Sequence, residues 1–169
     1  MSQAQMIASD PTASASARGC FTAPLPRVDS LASLGLRVSR LFAQCRRESG
    51  QMAMLWVDVD MLARPGEALT GEPRDSLIQA VSQRLRNRVR GADEVLRVGE
   101  HSFAVLLMAA GSLEADIVEE RLMQAMRGTY GVDERVMHVG VRMGRALFPE
   151  HGRNGTELAE VARRQAGGA

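Results

Sequence analysis

Lysine is missing from this chain: all 21 basic residues among its 169 are arginine, so a role that needs a lysine ammonium has no residue to fill it. Cysteine is scarce. Cys20 and Cys45 supply neither a disulfide framework nor a metal cluster and read as plain thiols. Long hydrophobic runs are absent too: the longest, residues 103–110, is far too short to span a bilayer. The first 19 residues lack the apolar centre of a signal peptide, and no hydrophobic run precedes Gly19-Cys20 to make it a lipoprotein site. A cytoplasmic location is expected, with no membrane partner. Charge of one sign is missing as well, the net being +1 and well mixed, so nothing calls for a polyanion or an anionic membrane.

What is present is a hydrophobic content of 45%, enough for one core in a domain of about 130 to 150 residues. Residues 1–28 are rich in Ala, Ser, Pro and Thr and read as a disordered N-terminal tail. The domain is placed at 29–166, with 167–169 as a C-terminal tail. Leu31, Leu34, Val38, Leu41, Phe42 and Cys45 fall on one face of a helix ending near Gly50, with Asp29 as its N-cap. Residues 52–60 form a near-continuous apolar run ended by Asp58 and Asp60, the pattern of a central strand buried on both faces. A helix is expected over 74–90, a hairpin from 94–98 and 102–108, a helix over 113–126, a strand over 136–148 and a short helix over 157–164. Ten methionines, among them Met52, Met54, Met61, Met108, Met123 and Met126, read as adaptable core filler.

Strand, helix, strand, strand, helix, strand is the α+β ferredoxin-like βαββαβ order, expected as a four-stranded antiparallel sheet with helices on one face. Its first two strands run parallel with the third between them. The end carrying Asp58 and Asp60 therefore lies beside the turn at residues 99–102.

That turn, Arg97-Val98-Gly99-Glu100-His101-Ser102-Phe103, resembles the signature hairpin of a GGDEF domain, Arg-x-Gly-Gly-Asp-Glu-Phe, with its central letters overwritten. The second Gly, the Asp and the Glu have become Glu100, His101 and Ser102, while the Arg, first Gly, Phe and following apolar strand remain. Resemblance extends from Asp29-Ser30-Leu31-Ala32-Ser33-Leu34-Gly35-Leu36-Arg37, similar to Asp-x-Leu-Thr-Gly-Leu-x-Asn-Arg, to a nucleotide-cyclase-type closing strand over 140–149. The family makes cyclic di-GMP from two GTP molecules. By resemblance Asp58 matches its first metal-binding Asp, Asp60 follows in the usual Asp-x-Asp pattern, and Asp75 matches a guanine-binding Asp.

The other metal carboxylate falls on His101, whose imidazole suits softer metals than Mg2+, and Glu100 stands where glycine lets the nucleotide approach. Its side chain is expected to obstruct and its charge to repel phosphates. The family's Phe-Lys-x-x-Asn-Asp segment appears as Leu62-Ala63-Arg64-Pro65-Gly66-Glu67, without the guanine-binding Asn. A phosphate-binding Lys expected in the last helix is replaced by Val161-Ala162-Arg163-Arg164-Gln165; Arg163 and Arg164 read as a solvated face. These losses imply a degenerate, catalytically inactive domain with no catalytic residues and no cofactor, Mg2+ entering only with residual cyclase activity.

Arg90-Gly91-Ala92-Asp93 keeps the register of the family's Arg-x-x-Asp inhibitory site, and Arg121 matches an arginine placed on the next helix. An Arg fork suits guanine O6 and N7, and a carboxylate suits the N1 and N2 edge, so Arg90, Asp93 and Arg121 are the candidate cyclic di-GMP site. The bland alternative has Asp93 capping a turn and Arg90 sitting in a solvated helix end. Function is thus either cyclic di-GMP reception or a ligand-independent interaction module, with a protein partner or homodimer. Nucleic acid is not expected: RNA-recognition modules share the strand order, but only Trp56 and Phe103 stand as aromatics on the central strands. His101, His138 and His151 lie in different elements without metal-ligand spacing.

Overall fold

The computed structural model describes residues 25–48, 50–61, 71–132 and 134–167. Cys20, residues 62–67 and the expected tail as far as residue 24 lie outside these. The elements are β1 (Arg27–Val28), α1 (Leu31–Glu48), β2 (Met52–Met61), α2 (Glu72–Arg86), β3 (Glu94–Val98), β4 (Ser102–Met108), α3 (Ser112–Met126), β5 (Tyr130–Val132), β6 (Arg135–Met137), β7 (Val139–Phe148) and α4 (Gly155–Gly167). Five strands make one sheet in the order β1-β3-β4-β2-β7, and β5 with β6 makes a separate hairpin.

Within that sheet β2 is antiparallel to β4 and β7, and β3 is antiparallel to β4, so β2 and β3 run parallel on either side of β4. The pleat sorts β2 cleanly. Ala53, Leu55, Val57 and Val59 pack with Leu77, Val81 and Leu85 of α2 and Val118 and Leu122 of α3. Met52, Met54 and Trp56 pack on the opposite face with Leu34, Val38 and Phe42 of α1 and Leu158 and Ala162 of α4. Each fully buried Leu or Val here contributes about 1.5–3 kcal/mol, so both layers matter to stability. Helices therefore cover both faces, not one. A strand apolar at successive positions has to be covered on both sides, which a single helical layer cannot do.

Several boundaries differ from the sequence expectation for local reasons. Ser30, not Asp29, caps α1, its Oγ accepting from Ser33 N at 3.1 Å. Helix α2 starts two residues early, with Pro73 tolerated in its first turn, and stops at Arg86 rather than Arg90. The expected 136–148 strand is divided between β6 and β7, and Tyr130–Val132 adds a strand that periodicity did not reveal. Arg27 and Val28, assigned to the tail, pair in parallel with Arg97 and Val98.

Strand β7 is an edge of the sheet, and α4 lies directly over it. A Cβ at Gly144 would overlap Ala162 O and Ala166 N and stand 2.8 Å from Gln165 C, so only glycine permits this approach. Beside it, Gln165 Oε1 accepts from the backbone N–H of Arg145 at 3.2 Å.

Candidate functional site

Asp58 and Asp60 lie at the end of β2 on the α1/α4 face, and the register places Ser102 of β4 and Arg142 of β7 opposite Asp58. Asp58 Oδ1 accepts two hydrogen bonds, from Trp56 Nε1 at 2.7 Å and from Ser102 Oγ at 2.5 Å. Asp60 Oδ2 is paired with Arg142 Nε at 3.5 Å. Trp56 stands two residues from Asp58 on the same strand face, so its indole is buried in the core while its N–H reaches the carboxylate. Mg2+ asks for near-octahedral oxygen donors, with carboxylates free to bind it. Here one oxygen of Asp58 already serves two donors, Asp60 is matched by a cation, and His101 stands where another carboxylate would be needed. Among the described residues no three His, Cys, Asp or Glu side chains are grouped to hold a metal ion. The described side chains at this end of β2 are therefore a poor donor set for Mg2+.

The β3–β4 turn begins at Gly99, whose φ of 67° is the left-handed conformation that favours glycine. It is tied to β2 by Val59 N, which donates to His101 O at 2.9 Å. Glu100 at its tip meets three arginines from three elements. Arg27 Nη2 of β1 lies 2.8 Å from Oε1, while Arg74 Nη2 of α2 and Arg97 Nη2 of β3 lie 3.0 and 4.0 Å from Oε2. Arg97 also donates to the Glu100 carbonyl at 3.1 Å, and Arg74 Nη2 lies 3.3 Å from His101 Nε2. The hydrogen bond from Arg27 and then its charge hold the Glu100 carboxyl below the usual carboxylate range; desolvation opposes them, and the charges of Arg74 and Arg97 add smaller effects in the lowering direction. A carboxyl depressed on folding favours the fold above its unfolded pKa of about 4.3, and that contribution is lost as pH falls through the lower folded value. The ion pairs are thus intact at neutral pH. The negative charge of Glu100, expected to repel phosphates, is matched by the three arginines. Asp75, exposed in the first turn of α2, favours the charge on Arg97, whose pKa is lowered chiefly by burial and next by Arg27.

Asp93 is held differently. Its side chain is 1% exposed; Oδ2 accepts from Arg90 N at 3.0 Å and Oδ1 from Met108 N at 3.1 Å. Arg90 Nε lies 3.9 Å from the same carboxylate, and Arg90 and Arg121 are exposed. The carboxylate closes the turn before β3 and ties it to the end of β4. Asp93→Ala leaves two backbone N–H groups without their acceptor and is expected to lower unfolding stability by about 2 kcal/mol in denaturant titration. A change within about 0.5 kcal/mol would show that these bonds are dispensable.

The sequence profile described as diguanylate cyclase, GGDEF domain, matches residues 24–167. The chain belongs to the GGDEF family. It is 31% identical over 144 residues to the cyclic di-GMP phosphodiesterase NbdA of Pseudomonas aeruginosa, covering 82% of this chain and 18% of that protein. To the bifunctional diguanylate cyclase/cyclic di-GMP phosphodiesterase MucR of the same organism it is 26% identical over 122 residues, covering 72% of this chain and 18% of MucR. The chain thus spans about a fifth of the length of these two relatives. The crystal structure of the GGDEF domain of TpbB from Pseudomonas aeruginosa superposes with a TM-score of 0.69 at 25% identity, over 86% of this chain and 87% of that one.

Against the GGDEF signature, Glu100 brings a carboxylate to the tip of the turn and Ser102 brings a hydroxyl to Asp58. Three positions around this site escaped the sequence: Arg27, Arg74 and Arg142. Arg27 fell in the expected tail and Arg74 at a helix start, where nothing in their spacing marks a shared target. The Trp56–Asp58 bond was accessible in principle, since residues two apart on a strand share a face. Arg163 and Arg164 are exposed on α4, and His151 is engaged structurally, its Nδ1 accepting from Leu147 N at 2.8 Å. Among the described residues no helix is long and apolar enough to cross a membrane.

Proposed function

We propose that this chain is a non-catalytic GGDEF domain that acts in cyclic di-GMP signalling from the cytoplasm. The observation that carries it is the state of the two surviving carboxylates: Asp58 Oδ1 accepts from both Trp56 and Ser102, and Asp60 is paired with Arg142. Phosphoryl transfer needs metal-holding carboxylates and cations on the leaving phosphates; the carboxylate at the turn, Glu100, is paired with arginines, and the chain has no lysine. We assign the regulatory role to cyclic di-GMP binding through Arg90, Asp93 and Arg121, whose residue types match the two edges of guanine. A second reading, a ligand-independent module that docks a protein partner or another copy of itself, is favoured by the burial of Asp93 and the engagement of both its oxygens.

Calorimetric titration with cyclic di-GMP separates the two. Reception predicts saturable heat at micromolar ligand that Arg90→Ala weakens by about 2 kcal/mol, the loss of one charge-assisted bidentate contact. No heat at that concentration removes the receptor and leaves the interaction module.

A further inference from the structure

Three guanidinium groups from β1, α2 and β3 converge on one side chain at the tip of a turn, and that side chain is 57% exposed. An exposed surface carboxylate is ordinarily satisfied by water or one partner. This one has Arg27 at 2.8 Å, Arg74 at 3.0 Å and Arg97 at 4.0 Å, and the three cations are crowded enough that Arg27 and Arg74 both push the Arg97 pKa down. Arg97 Nε is buried and has no hydrogen-bond partner. Among the described residues, Asp29 lies 3.9 Å from Arg27 and is almost fully exposed, and the charge of Asp75 is felt at Arg97. Neither is seated among the three arginines as Glu100 is.

We infer that Arg27, Arg74 and Arg97 form a site for a small phosphoryl anion and that Glu100 is its tethered occupant. A phosphoryl group carries up to two negative charges and three acceptor oxygens, against one charge and two oxygens on the carboxylate, so it satisfies three forks better. Arginine is suited to this site because its planar fork holds an oxyanion by two parallel bonds. When the anion enters, the Glu100 carboxylate swings out and the turn loses the two ion pairs that fasten it to β1 and α2. The site would then report phosphoryl ligands through the position of the β3–β4 turn. This is separate from the guanine-directed site at Arg90, Asp93 and Arg121 and does not depend on it.

The test uses inorganic pyrophosphate, which has no base for a guanine site to recognise, titrated by calorimetry into the full chain at fixed ionic strength. Glu100→Ala is expected to bind it about tenfold more tightly than the unsubstituted chain, since affinity rises by the inverse of the fraction of sites free of the tethered carboxylate. Adding Arg74→Gln to Glu100→Ala should abolish the gain. Equal affinity with and without Glu100, no binding to Glu100→Ala at millimolar pyrophosphate, or a gain that survives Arg74→Gln each overturn the inference. Thermal unfolding of each variant checks that the fold is retained; if Glu100→Ala does not fold, Glu100→Gln replaces it with the same expected order of affinities.

Discussion

Gly144→Val is expected to destabilise the domain by about 3 kcal/mol in chemical denaturation, a fall of roughly 10 °C in melting temperature for a domain of this size. The cause is backbone against backbone. A Cβ at Gly144 meets Ala162 O, Ala166 N and Gln165 C, none of which can rotate away as a side-chain tip would, so α4 has to lift from the sheet. Lifting it uncovers Ala146 and Phe148 of β7 and Trp56 and Met54 of β2, all packed beneath α1 and α4. Gly131→Ala is the matched control, because a Cβ there meets nothing within 4 Å; it should change stability by no more than about 0.5 kcal/mol. Equal effects at both positions would mean that the close approach of α4 contributes little.

Incubated with GTP and Mg2+, the protein should form cyclic di-GMP no faster than a buffer blank in a chromatographic assay, and His101→Asp should leave that result unchanged. Supplying the missing carboxylate is not enough. Asp58 Oδ1 would still accept from Trp56 Nε1 and Ser102 Oγ, Asp60 would still face Arg142, and Glu100 would still fill the turn at the family's second glycine. Removing a single group that stabilises charge in a phosphoryl-transfer site commonly costs several kcal/mol of barrier, and here several are missing together. Product above the blank from the unsubstituted chain would refute the non-catalytic assignment.

The fold was legible where hydrophobic pattern and burial coincide. Leu34, Val38, Phe42 and Cys45 are buried on α1 as their spacing indicates, and the hairpin over 94–98 and 102–108 agrees with β3 and β4 residue for residue. The second helical layer was also encoded, in the unbroken apolar run of β2, although the helices were expected on one face. Short elements held by tertiary contact were not legible. Arg27 and Val28 form a strand only because β3 offers its edge, and Tyr130–Val132 only because β6 folds back on it. For the candidate site the sequence supplied the residues and the juxtaposition of Asp58 with the turn, which the Asp58–Ser102 register matches. It could not supply the charge partners. Arg27 and Arg74 are far in sequence from Glu100, and Arg142 from Asp60, and arginines at such distances carry no periodic signal.

Gln165 occupies a position whose importance extends beyond packing. The outer rim of β7 would otherwise offer the N–H of Arg145 to any passing extended chain, and rows of such donors are how sheets recruit strangers into fibrils. A side-chain amide that answers this donor from within the same molecule, held there by a helix that only glycine lets settle so low, closes one point of entry for templated growth.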